Sequence, residues 1–226
     1  MKEITIQQML EAGVHFGHTT SKWHPNMKPY IFCVRDGVHI IDLEKTKEKL
    51  SNALKFIGQI AKEGGIILFV GTKRQAKDIV KKAAMSCGMP YITERWLGGT
   101  LTNFKTIHRA IQRLRDLEEK EKAGEFKKYT KKEQLLKHEE IEKLNLKVGG
   151  IKQLDDLPQA IFVIDIVQEK LALKEARKMG VPVVALCDTN SDPELVDYPI
   201  PSNDDAIKVI EMMSNAVAET IKENKK

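Results

Sequence analysis

The 226-residue sequence predicts an α/β protein: a doubly wound parallel sheet carrying an inserted antiparallel coiled-coil helical hairpin. Three observations predict it. Short continuous apolar runs, such as Ile66-Ile67-Leu68-Phe69-Val70, read as parallel strands covered on both faces. These runs alternate with amphipathic helical stretches, the pattern of βαβ units with right-handed crossovers. A charged segment from Phe104 to Val148 carries narrow apolar stripes that a compact domain does not need in order to fold.

Thr5-Ile6-Gln7-Gln8 reads as a capping box for a short N-terminal helix ending near Gly13. Residues 15–29 have little periodicity and read as an ordered loop. The runs YIFCV and VHIID flank Arg35-Asp36-Gly37, a β-hairpin with a glycine-assisted turn. A helix is expected over 43–62, ended by Gly64-Gly65, then the strand 66–70, a helix over 74–87 and a strand at 90–93. In the hairpin, Phe104, Ile107, Ile111, Leu114 and Leu117 form one stripe, and Ile141, Leu144 and Val148 a second. The break lies at Ala123-Gly124-Glu125-Phe126, and Thr130 with Glu133 restarts the helix as a capping box. Alternation resumes with strands at 160–165 and 181–187 around a helix at 168–179. An extended piece at 198–200 precedes a last helix over 203–222, striped by Ile207, Ile210, Met213, Val217 and Ile221 and frayed from Lys222 to the end. The sheet domain thus comprises residues 1–102 and 149–226, and the insertion 103–148.

Composition bounds the function. No apolar run is long enough to span a membrane, and the N-terminus shows neither a signal-peptide nor a transit-peptide pattern. Cys33, Cys87 and Cys187 form no C-x-x-C pair and read as reduced thiols of a cytosolic protein. Charge is uneven: residues 151–226 hold 9 Lys/Arg and 14 Asp/Glu, so the remainder of this +5 chain carries +10. A basic front and an acidic rear suit a protein lying with one side on a polyanion, although a solvated surface of uneven charge has the same composition.

Four groupings bear on chemistry. The turn Gly71-Thr72-Lys73-Arg74 leaves a strand and enters a helix, where free N–H groups and two cations can hold a phosphate. It lacks both G-x-G-x-x-G and G-x-x-x-x-G-K-[ST], which disfavours a nucleotide-binding transferase using this turn with Asp165 or Asp188. His15 and His18, with His24, Cys33 and His39, lack the second close pair that a zinc site needs. Asp188, Asp192, Asp204 and Asp205 follow the last strands, where ligands of open α/β sheets gather, and offer a divalent-cation site. Asp204 and Asp205 also suit a plain helix N-terminus. No hydrolase, zincin or kinase signature is present, so no catalytic residue is assigned. The strings KWHPNMKPY (22–30) and RWLGG (95–99) mix cations, aromatics and turn formers, as RNA-binding loops do. A tight turn and core tryptophans are the plainer account of each string taken alone.

AGVHFGH (12–18), HPNMKPYIF (24–32), GVHIIDLEKT (37–46), ILFVGTKRQA (67–76), RWLGGTLTNF (95–104), GGIK (149–152), FVID (162–165), VALCDTNSDP (184–193) and IPSNDDAI (200–207) run through the chain in order. On these strings the chain resembles the bacterial-type small-subunit ribosomal protein S-two family. The resemblance implies a flavodoxin-like sheet domain with a coiled-coil insertion and a structural, non-enzymatic role. It implies small-subunit rRNA and neighbouring ribosomal proteins as partners, among them the large mRNA-binding protein numbered first, with no small-molecule substrate. A cytoplasmic ribosome, in a bacterium, is the expected location. On that basis Lys22, Lys28, Arg35, Lys73, Arg74 and Arg95 are the expected phosphate contacts. Trp23 and Trp96 are expected to stack on bases or buttress those loops. Lys105, Arg109, Arg113 and Lys132 on the hairpin are expected to reach a second rRNA segment or a neighbouring protein.

Overall fold

The computed structural model describes residues 4–225. Thr5 caps α1 (Ile6–Ala12) through the expected box with Gln8, and Gly13 ends it. Next comes an antiparallel sheet of β1 (Phe16–Thr19), β2 (Ile31–Arg35) and β3 (Val38–Ile41), in the order β1-β3-β2. Asp36 and Gly37 stand at φ 51° and 75°, the doubly left-handed geometry of a tight hairpin turn. The expected loop over 15–29 is corrected at β1, which joins β3 through Phe16↔Ile40 and Thr19↔Val38 with an irregular register. So short a strand, bulged and paired beyond its neighbour in sequence, leaves no alternation to read.

Asp42 caps α2 (Leu43–Lys62) by accepting from Glu44 and Lys45 N–H, a contribution of about 1 kcal/mol. The parallel sheet follows: β4 (Ile67–Val70), α3 (Lys77–Cys87), β5 (Tyr91–Ile92), then α4 (Phe104–Lys122) and α5 (Lys131–Val148). It continues with β6 (Ala160–Val163), α6 (Lys170–Met179), β7 (Val183–Cys187), β8 (Tyr198–Pro201) and α7 (Ile207–Asn224). Its five strands are all parallel, in the order β5-β4-β6-β7-β8, which is consistent with a flavodoxin-like fold. Three helices start later than the sequence predicts because turn bonds take up their first residues. Ala76 N–H donates to the Lys73 carbonyl, Asp165 accepts from Val167 and Gln168 N–H, and Asn203 accepts from Asp205 and Ala206 N–H. The last helix runs on to Asn224 rather than fraying at Lys222, and Lys226 lies outside the described residues. Ile207, expected on its buried stripe, is 59% exposed, because Val209 and Ile210 take the core-facing side at this end of the helix.

Alternate residues of the central strands feed two cores. Ile67 and Phe69 join the cluster under α2, α3 and α7, while Leu68 and Val70 join the cluster on the opposite face. That second cluster contains α6 residues Ala172, Leu173 and Ala176. It also takes in Trp96, Leu101 and the α4 stripe Ile107, Ile111, Leu114 and Leu117. α4 and α5 run antiparallel: Arg113 meets Glu140 at 2.9 Å, and His138 meets Glu121 at 2.9 Å nearer the tip. Between these two pairs along α4, Arg115 holds Asp155 at 3.0 Å and Lys152 holds Glu118 at 3.2 Å. The segment returning to the sheet therefore braces α4 as far as Glu118.

The chain re-enters the sheet through a 3-10 turn, Gly149–Ile151. A Cβ at Gly150 would drive into the carbonyl oxygen and ring of Tyr91 on β5. Replacing Gly150 by Ala is expected to cost about 1–3 kcal/mol, read as a lower urea midpoint at unchanged slope. An unchanged midpoint would mean that the turn and β5 part freely.

Candidate functional site

Every crossover of the parallel sheet delivers its loop to the same edge, beyond the carboxyl ends of the strands. Arg74 follows β4 and Arg95 follows the neighbouring β5, and both are exposed. The segment carrying Lys22, Trp23 and Lys28 docks onto the loop after β7. His24 N–H donates to the Thr189 carbonyl at 2.7 Å and Asn26 Nδ2 to Asp192 at 2.9 Å. Lys22 and Lys28 are exposed, and Trp23 is 37% exposed beside the His39 ring. Lys105 and Arg109 are exposed on the first turns of α4, directly after the Arg95 loop. Arg35 extends into solvent from the tip of the β2–β3 hairpin, and Lys132 is exposed near the start of α5.

Three sequence-predicted residues are placed otherwise. Lys73 Nζ lies 2.7 Å from Asp204, 2.7 Å from Asp205 and 3.2 Å from Asp165, with a side chain only 13% exposed. Its charge is consumed inside the protein, which corrects the expectation of a phosphate contact. Burial works to lower its pKa, and the aspartates outweigh burial and hold it above the usual lysine value. Trp96 is 6% exposed and donates Nε1–H to Glu175, so of its two expected roles it takes the buttress and not the stack. Arg113 forms a forked pair with Glu140 that clips α4 to α5, leaving its guanidinium committed between them.

The aspartates gather a further residue. His18 Nδ1 lies 3.1 Å from Asp188, and Nε2 lies 3.6 Å from Asp205. The Asp188 hydrogen bond raises the His18 pKa, against burial. Asp204 is pushed up to about 7, first by burial and then by repulsion from Asp165 and Asp188. Its Oδ2 is buried without a hydrogen-bond partner. His18, Asp188 and Asp205 each offer a ligand atom within 4.8 Å of the others, a donor set of one imidazole and two carboxylates that fits a divalent cation. Asp192 stands outside this set and caps the 3-10 turn Pro193–Leu195 instead. Asp204 and Asp205 lie within the Asn203 turn before α7 and outside the helix's first turn, so the helix-terminus account does not describe them. Sequence reasoning had His18 and the aspartates in separate groups, because only the docking of β1 against the β7 loop joins them. His18 N–H donates to Thr189 Oγ1 at 2.8 Å, and Gly17 leaves no room for a Cβ there.

The turn that would cradle a nucleotide phosphate is already satisfied by the chain itself. Thr72 N–H donates to Glu169 Oε1 at 2.9 Å, Gln168 Nε2 donates to Thr72 Oγ1 at 3.1 Å, and Lys73 is held by its three aspartates. A phosphate at this crevice would have to displace buried carboxylates. Sequence reasoning also missed Glu169 and Glu175. A signal existed for the second: Glu175 falls on the apolar face of α6 with Ala172, Leu173 and Ala176.

Burial raises the Glu169 pKa above its ordinary 4.5, against the Thr72 hydrogen bonds. The folded protein thus holds this proton to higher pH than the unfolded chain, and stability falls as pH rises from about 4.5 through the raised value. Glu169→Gln imitates the neutral acid. Its melting temperature, relative to the parent, is expected to rise between about pH 4 and pH 7. A constant difference across that range would show that Glu169 titrates alike in the folded and the unfolded chain.

The model of the family described as ribosomal protein S2 matches residues 9–224, nearly the whole chain. The chain belongs to that family. It is accordingly a structural constituent of the small ribosomal subunit, from a family that is not enzymatic, and its place is the ribosome. No helix among the described residues is long and apolar enough to cross a membrane.

Proposed function

We propose that this protein binds small-subunit rRNA with the carboxyl-end edge of its parallel sheet, in the bacterial cytoplasm. We propose also that it supports docking of neighbouring ribosomal proteins, including the large mRNA-binding one. The observation that carries this reading is the sorting of charge at that edge. Arg74 and Arg95 are exposed on adjacent loops, and Lys22 and Lys28 are exposed on the segment docked beside them. The aspartates of the same edge are turned onto Lys73 and His18. RNA duplexes hide their major-groove edges from side chains, so these cations recognise shape and backbone, while Trp23 stacks on or buttresses its loop.

Residues 103–148, taken as a coiled-coil insertion, hold 13 Lys/Arg and 9 Asp/Glu. Their cations gather at the tip, where Lys120, Lys122, Lys127, Lys128, Lys131 and Lys132 are all exposed. The projecting part of the arm, beyond the brace at Glu118, gives the protein a second contact with rRNA or with a neighbouring protein. Replacing residues 120–137 by a short glycine linker is expected to keep a cooperative thermal transition while weakening attachment to the subunit. Loss of the transition would mean that the arm is part of the folding unit to its tip.

Sedimentation of cell lysate tests the central claim. The protein is expected to travel with small subunits at low salt and to be released at high salt. Affinity should fall by roughly 0.7–0.9 log units per contacted phosphate for each tenfold rise in salt, taking DNA slopes as a guide. Arg95→Glu should release the protein at lower salt with its melting temperature nearly unchanged. Migration at the top of the gradient under both conditions would refute ribosomal attachment. A variant that releases like the parent would remove Arg95 from the interface.

A further inference from the structure

The loop between β5 and α4 contains Gly98-Gly99 and no strand or helix, yet its inner side is buried at Trp96, Thr100 and Leu101. Its donors converge on one carboxylate. Glu175 Oε1 accepts from Gly99 N–H at 2.7 Å and from Trp96 Nε1–H at 3.3 Å. Oε2 accepts from Leu101 N–H at 2.9 Å, and from Thr102 N–H and Oγ1–H at 3.2 Å each. Backbone amides that converge in this way form an anion-binding concavity of the kind that elsewhere holds phosphate. Here the concavity faces inward, and the protein's own side chain, 5% exposed, fills it. Burial works to raise the Glu175 pKa, and the N–H donors of Gly99, Leu101, Thr102 and Trp96 outweigh it, so the group stands ionised below the usual range.

The outer side of the same loop presents Arg95 and Gly98, both exposed. Beyond Thr102 the chain passes through Asn103 into α4, which carries Lys105 and Arg109. One buried side chain therefore sets both the place of the Arg95 loop and the start of the arm.

We propose that Glu175 is a positioning residue for RNA binding, holding the 95–102 loop so that Arg95 and the first turns of α4 meet an RNA phosphate backbone in one fixed geometry. The inference rests on the RNA-binding function proposed above. A loop with paired glycines and no anchor samples many conformations, and the freedom it would lose on binding subtracts from affinity. Glu175→Gln keeps the shape but turns an NH2 group toward N–H donors. Glu175→Asp keeps the charge and both acceptor oxygens on a shorter stem.

The test titrates labelled full-length protein onto small ribosomal subunits stripped of this protein, over a series of potassium chloride concentrations. Glu175→Gln is expected to bind about tenfold more weakly at every salt concentration, with the salt slope unchanged because the phosphates contacted are the same. Arg95→Glu should instead flatten that slope by about one contact. Glu175→Asp should recover part of the loss. Amide exchange at Gly99, Leu101 and Thr102 should quicken in Glu175→Gln while the central strands stay protected. Parental affinity in Glu175→Gln overturns the proposal, as does unchanged exchange in the loop. Loss of the thermal transition in both Glu175 variants would assign this carboxylate to global folding and likewise overturn it. Failure of the parent protein to bind the stripped subunits would instead defeat the RNA-binding function itself, before any variant is compared.

Discussion

Parallel strands cannot be joined by a tight turn. The chain must leave the end of one strand and travel back along the sheet before it can enter the next. In this protein that constraint orders everything else. Strands β4, β6 and β7 are buried on both faces, so each crossover has to cover apolar surface as well as return the chain. α3 and α6 do so as ordinary crossover helices. Between β5 and β6 the cover is the 95–102 loop, the root of α4 and the returning 149–154 turn, and the arm is what remains of that connection after the sheet has been covered. Its stripe is continuous with the sheet core because its first residues do the work of a crossover helix.

The same constraint brings every outgoing loop to one edge, where buried acids do two opposite jobs. Asp165, Asp204 and Asp205 neutralise Lys73, and burial, with repulsion from Asp165 and Asp188 added to it, makes Asp204 hold a proton up to about 7. Glu169 and Glu175 are single carboxylates that take backbone N–H groups from loops with no regular partner of their own. An irregular loop packed against a core must find partners for its amides. A carboxylate with two oxygens meets several of them from one side chain, provided it stays ionised. At Glu175 the donors are numerous enough to outweigh burial, and at Glu169 they are not.

Local physics was legible in the sequence wherever it decided the outcome. The capping boxes at Thr5 and Thr130, the left-handed turn at Asp36-Gly37 and the helix 43–62 follow from neighbours within a few residues, and each formed as read. β1 did not announce itself, because its pairing is made with a strand beyond β2 and its register is irregular. The candidate site divided in the same way. Exposed cations on turns could be chosen from the sequence, since lysine and arginine in Pro- or Gly-rich loops seldom bury. What could not be read was which cations the fold would take for itself. Lys73, adjacent to Arg74 and alike in chemistry, follows β4 and meets acids that follow β6 and β8, and only the sheet order brings Asp165 and Asp204 to it.

That distinction changes how the charge of the chain is to be used. The +10 of the first 150 residues includes Lys73, neutralised by acids from the second half, and Arg113, neutralised within the arm. Part of the excess of acids after residue 150 is likewise interior: Asp165, Asp188, Asp204, Glu169 and Glu175 are all buried. The acidic rear that the composition suggests is therefore to a large degree an acidic lining beneath the loops of the carboxyl-end edge. Such a lining satisfies loop amides and internal cations, and among the described residues it leaves Arg74, Arg95, Lys22 and Lys28 outside the ion pairs. A polyanion approaching this edge meets Arg74, Arg95, Lys22 and Lys28 first, with the carboxylates behind them already engaged by the protein.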